Sequence, residues 1–216
     1  MTSLARPPDE FANCVTHGVG FLLSLPAAGY LIARVAGQPV AVVAACSLYS
    51  VALLLVYGTS TLSHLFYDAT WRRRFRTCDQ ACIFLLITGT YTPFAVMYLN
   101  HGGWWWLLAG MWVVSALGIW RVVRVRDLSR TDKLSYGLLG FLPVVALSEL
   151  SQCAPSGVPA GIVAGGVCYT AGALFLHQSG SVRYAHAAWH LMVMAGSACH
   201  YWALLVAIDD RCALTK

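Results

Sequence analysis

Long apolar runs broken by short polar stretches dominate the chain. Seven runs can be traced, approximately over residues 15–36, 40–63, 81–99, 104–120, 134–151, 157–176 and 187–208. Each is close to the roughly 20 residues with which an α-helix crosses a bilayer. Helices are the reading that satisfies every backbone group within lipid. A membrane barrel would need segments of about ten residues with alternating polarity, and runs such as 81–87 do not alternate. The pattern predicts an all-α, polytopic membrane protein: a seven-transmembrane-helix bundle in a single domain over residues 1–216. The seven helices use most of the chain and leave no room for a second folded domain.

Composition sharpens this picture. The chain is 58% hydrophobic and only 11% charged, against about 25% charged for an ordinary soluble domain. The net charge of +5 does not signal nucleic acid, because the basic residues collect in loops between apolar runs, where they encode orientation. Arg6, Arg72, Arg73, Arg74, Arg76, Arg121, Arg124, Arg126, Arg130, Lys133 and Arg183 fall on one side, and Arg34, Arg211 and Lys216 on the other. This split of eleven against three predicts a cytoplasmic N-terminus and an external C-terminus in the cell (inner) membrane. Trp104, Trp105 and Trp106 suit the headgroup region at the outer end of helix four, and Gly161, Gly165 and Gly172 suit close helix packing. Asp9 and Glu10 precede the first apolar run, where a cleavable signal peptide would carry positive charge, so none is expected. Of the eight cysteines, Cys14, Cys46, Cys82, Cys168 and Cys199 read as small buried residues. Cys153 and Cys212 fall near helix ends on one side, but no disulfide is expected.

Ionisable groups inside membrane segments mark a function or a partner. His64 falls at the cytoplasmic end of helix two, Asp79 at the cytoplasmic start of helix three, and His186 and His190 at the cytoplasmic start of helix seven. Far apart in sequence, they share one depth. His186 and His190, at i and i+4, occupy one helix face, a spacing with which one helix offers two imidazoles to a metal. Three neutral imidazoles plus water form a typical catalytic zinc shell. An open position lets bound water lose its proton near neutral pH. Asp79 is placed to take that proton, and Ser60, one turn before His64, to bond the water or a reacting carbonyl oxygen. The alternative reading is that these histidines meet headgroups or water, that Asp79 caps helix three, and that Ser60 is a packing residue. His17 is a further candidate to face the same cavity. His101 and His177 lie near helix ends, Glu149 near the outer end of helix five, and His200 points elsewhere on helix seven.

These residues resemble the progestin and adiponectin receptor family (PAQR), in particular its bacterial hemolysin III branch. Glu10-Phe-Ala-Asn13 with Thr16-His17-Gly18, Ser60-Thr-Leu-Ser-His64, Asp79 leading into Leu86-Ile-Thr-Gly-Thr-Tyr-Thr-Pro-Phe94, and His186-Ala-Ala-Trp-His190 followed by Ala195-Gly-Ser-Ala-Cys-His200 are similar to its signatures. The resemblance covers nearly the whole chain. It implies seven helices with a cytoplasmic N-terminus and zinc held by His64, His186 and His190, with Asp79 and Ser60 beside the ion. It also implies a relation to membrane hydrolases, some linked to ceramide. The long N-terminal domain of the hormone receptors is missing, so no peptide hormone is implied. Gln80 stands where many bacterial relatives are expected to carry His.

Three functions are compatible with this set. A zinc-dependent hydrolase of lipid amide or ester bonds, serving membrane lipid homeostasis, ranks first, with membrane lipids as substrate or ligand. A non-enzymatic regulator with structural zinc ranks second, and a pore-forming cytolysin last.

Overall fold

A computed structural model describes residues 9–125 and 130–214. Arg6, Arg126 and Lys216, which enter the charge count, lie outside that description, as do the side chains of Arg130 and Lys133. Among the described residues eight α-helices follow one another: α1 Asp9–Val35, α2 Val40–Leu65, α3 Ala69–Tyr98, α4 Trp104–Val125, α5 Arg130–Phe141, α6 Leu147–Cys153, α7 Gly157–Gln178 and α8 Ala185–Leu214. A 3₁₀ segment, Leu142–Ala146, joins α5 to α6. Among the described residues there is no strand, and seven spans are long and apolar enough to cross a membrane.

The fifth span is thus not one helix, as the run 134–151 suggested, but two helices around a tighter turn. Pro143 is the cause: it has no N–H to donate, and its ring collides with the carbonyl one turn earlier. The third helix also differs, beginning at Ala69 rather than near residue 81. Its cap is Asp68, whose carboxylate accepts from the N–H groups of Thr70 and Trp71, both at 3.0 Å. Arg72, Arg73, Arg74 and Arg76 therefore sit on a helix and not in a loop. Asp79 stands almost three turns inside α3, so it does not cap it. The first helix reaches back to Asp9, where Asp9 and Glu10 suit the positive end of the helix dipole.

α2 packs between α1 and α3, α8 packs against α7 and α1, and α4 lies on α3. Tyr49, Phe84, Phe94, Met111 and Leu204 fill the interior. Leu22, Leu117 and Val167 point outward and remain largely exposed, as lipid-facing side chains do. α7 approaches α8 through glycine: a Cβ on Gly161 would lie 2.7 Å from Ala203 Cβ and 3.0 Å from the Cys199 carbonyl. None of the eight cysteines is joined in a disulfide.

Both ends of α8 are tied. At one end, Arg34 pairs with Asp209, Arg211 donates to the Met97 carbonyl at 3.2 Å, and Tyr98 Oη donates to the Ala207 carbonyl at 3.3 Å. At the other, Tyr184 holds a left-handed backbone (φ 61°) just before the helix begins. That conformation costs a non-glycine residue roughly 1–2 kcal/mol. It is held by Asp9, which accepts from the Tyr184 N–H at 3.2 Å. The first residue of α1 thus fixes the entry of α8, two residues before His186.

Candidate metal centre

Three histidines meet where α2 ends and α8 begins. His64 comes from the last turn of α2, and His186 and His190 from the first two turns of α8. One ring nitrogen of each lies within 4.8 Å of the others. Ring centroids are 4.5 Å apart for His186–His190, 5.2 Å for His64–His186 and 5.3 Å for His64–His190. A tetrahedral ion with nitrogen ligands at about 2.0–2.1 Å sets its donor nitrogens about 3.4 Å apart, a separation inside that 4.8 Å limit. His64 and His190 are buried and His186 half-buried, an arrangement of neutral donors suited to a borderline-soft divalent ion.

α1 surrounds two of these rings. Glu10, only 8% exposed, accepts from His64 Nδ1 at 2.6 Å, and Arg72 of α3 donates to its second oxygen. His190 Nδ1 lies 3.2 Å from the Asn13 carbonyl and 3.0 Å from Thr16 Oγ1. The His17 ring stacks on His190 at 3.6 Å, nearly parallel at 12°, and meets Tyr57 edge-on at 5.2 Å.

Ser60 lies one turn deeper than His64 on α2 and is 1% exposed. Asp79 of α3, half-buried, is close enough to interact with the Ser60 hydroxyl and with Arg76. No hydrogen bond of ordinary geometry closes onto Ser60 Oγ. Asp79 stands outside the three-histidine set among the described residues. Its interactions are with Ser60 and Arg76, and it is not one of the converging donors.

His17 does reach the cluster. His200 does not: its Nε2 donates to the Ile162 carbonyl at 3.2 Å, against Gly165 of α7. His101 and Glu149 approach each other to 3.5 Å at the opposite end of the bundle. Sequence reasoning missed any role for Glu10, Asn13 and Thr16. Their spacing of three residues, with His17 next to Thr16, places them along one side of a helix, and that spacing was the available signal.

A family profile described as Haemolysin-III related matches residues 6–201. Hemolysin-3 of Bacillus cereus is 35% identical over 199 residues, covering 91% of this chain and 90% of the relative. The Hemolysin-3 homolog of Bacillus subtilis is 30% identical, covering 91% and 93%. The human Monocyte to macrophage differentiation factor is 25% identical over 212 residues, covering 91% and 83%.

Proposed function

This chain belongs to the haemolysin-III-related family, and we propose that it is a zinc-dependent hydrolase of lipid amide or ester bonds, working at the cytoplasmic leaflet of the cell membrane. The observation that carries the reading is the meeting of His64, His186 and His190, with Ser60 one turn from His64 on α2 and Asp79 of α3 close to Ser60. Three protein donors leave a coordination position open, as catalytic sites do and four-ligand structural sites do not.

A zinc ion held there would supply Lewis acidity toward a carbonyl oxygen and an attacking water. Asp79 accepts a proton from that water as its oxygen attacks the carbonyl carbon. Ser60 donates a hydrogen bond to the carbonyl oxygen as negative charge develops on it. Asp79 then returns the proton to the departing amine or alcohol as the carbon–nitrogen or carbon–oxygen bond breaks. The products are a fatty acid and the released head group. The well-filled interior, with Tyr49, Phe84 and Phe94 nearly inaccessible, favours this reading over a pore.

Asp79→Asn tests the proposal. It should retain zinc, since the imidazoles supply most of the affinity, and lose about 10²–10⁴-fold in turnover. The assay is fatty-acid release from lipid amides and esters in nanodiscs, alongside metal analysis. Equal release by wild type and Asp79→Asn above a zinc-free control would remove Asp79 as the base. No release from any lipid, with zinc bound, would replace the enzyme with a membrane regulator.

A further inference from the structure

α1 contributes no ligand to the histidine cluster, yet its side chains and backbone contact the rings of His64 and His190. We propose that α1 is the positioning layer of the metal centre, with Glu10, Asn13 and Thr16 holding His64 and His190 so that each presents Nε2 to the ion. This rests on the reading of the cluster as a metal site.

The assignment follows from what each partner can accept. Glu10 gives one oxygen to Arg72 and the other to His64 Nδ1. A carboxylate paired with a guanidinium only accepts hydrogen bonds, so His64 Nδ1 carries the proton. At His190, the Asn13 carbonyl 3.2 Å away is likewise only an acceptor. Thr16 has one hydroxyl proton, directed to the carbonyl of Ala12 at 2.9 Å or Asn13 at 3.0 Å. Its lone pair thus faces His190 Nδ1 at 3.0 Å. Both rings therefore keep the Nδ1–H form and leave the Nε2 lone pair for a cation.

Two consequences follow. A histidine whose second nitrogen is tied cannot turn its ring without breaking that bond, so the donors are oriented before the ion arrives. The Glu10 carboxylate also fixes the tautomer of the His64 imidazole, as carboxylate partners do for metal-bound histidines. Glu10 further links three helices, since its two oxygens join α1 to α2 and α3.

The test uses purified full-length protein in nanodiscs, with Zn²⁺ and Co²⁺ as probes. Affinity is read by competition with a chromophoric chelator, and site symmetry by the Co²⁺ visible spectrum. Glu10→Met, which removes the acceptor at similar volume, should weaken Zn²⁺ binding about 10–100-fold and shift the Co²⁺ bands. Arg72→Met leaves the Glu10–His64 contact intact and should lose much less. Wild-type affinity in Glu10→Met, or equal loss in both variants, overturns the inference, the latter because the ion pair alone would then matter. If wild type itself binds neither ion, the metal reading fails and this inference with it. Should Glu10→Met not fold, ¹⁵N-histidine NMR of zinc-loaded wild type decides: protonated Nδ1 and metal-bound Nε2 on His64 and His190 are expected, and metal on either Nδ1 overturns the proposal.

Discussion

Removing His64 is the most direct perturbation of the centre. His64→Ala deletes the donor supplied by α2 and leaves His186 and His190, which share one helix face. Structural zinc sites with four ligands bind with roughly 10–16 kcal/mol, or about 2.5–4 kcal/mol per ligand. Loss of one imidazole should then weaken binding by about 10²–10³-fold. The fold itself should tolerate the change, because Glu10 keeps its Arg72 partner. Thermal unfolding in detergent exposes the difference through linkage. At free zinc a thousand times the wild-type Kd, zinc stabilises wild type by about 4.1 kcal/mol. A variant binding a hundredfold more weakly gains only about 1.4 kcal/mol at the same zinc concentration. The zinc-dependent rise in Tm should therefore shrink by well over half, while the zinc-free Tm of the two proteins stays close. Bound metal is checked by elemental analysis after desalting. Full zinc retention and an undiminished Tm rise in both His64→Ala and His186→Ala would refute the site.

Two further outcomes test the frame that carries it. A cysteine placed at the exposed Arg73 of α3 should resist a membrane-impermeant thiol reagent added outside whole cells, whereas Cys212 as the single cysteine should react; the opposite pattern reverses the proposed orientation. Gly161→Ala puts a Cβ 2.7 Å from Ala203 Cβ and should destabilise the bundle by about 1–3 kcal/mol, lowering Tm, whereas Gly166→Ala, with nothing within 4 Å of its added Cβ, should be neutral or slightly stabilising; equal Tm values would mean that α7 and α8 do not pack through Gly161.

What could be read from the sequence divides along physical lines. Seven spans were legible because hydropathy reports lipid contact directly. His64, His186 and His190 were legible because a topology converts position in a span into depth, and ionisable groups at one depth have few reasons to be there. The N-terminal extension of α3 was not legible. Four arginines among its first eight residues read as a loop on any hydropathy scale, although the Asp68 cap starts a helix there. The break at Pro143 was hidden for the opposite reason: the 3₁₀ turn Leu142–Ala146 is as apolar as the helices around it. Glu10 was legible as a signature residue but not as a partner of His64. That role depends on which side of α1 meets α2 and α8, and a helix that is apolar over most of its surface gives little indication of its rotation.

The polar atoms around the cluster bear on whether the centre is a structural staple or a reactive site. A closed metal site satisfies its surroundings: ligands fill the shell, and outer groups hydrogen-bond to the ligands. Glu10 and Thr16 behave in that way. Their neighbours do not, since Asn13 Oδ1, both ring nitrogens of His17 and Ser60 Oγ are buried with no hydrogen-bond partner in the protein. An unsatisfied buried group costs about 1–3 kcal/mol, and lipid offers it nothing to bond with. Four such atoms on three residues, one stacked on His190 and another a single turn below His64, make a concentrated requirement for polar occupants. In the proposed hydrolase, water would satisfy it at rest and a substrate's carbonyl or hydroxyl group would replace that water in use. A staple has no need of this surplus of unmet donors and acceptors. A hydrolase does, because its carbonyl, its attacking water and its leaving group each need a partner during the reaction. The balance of satisfied ligands and unsatisfied neighbours therefore supports the proposed hydrolase over a purely structural metal, independently of the open coordination position.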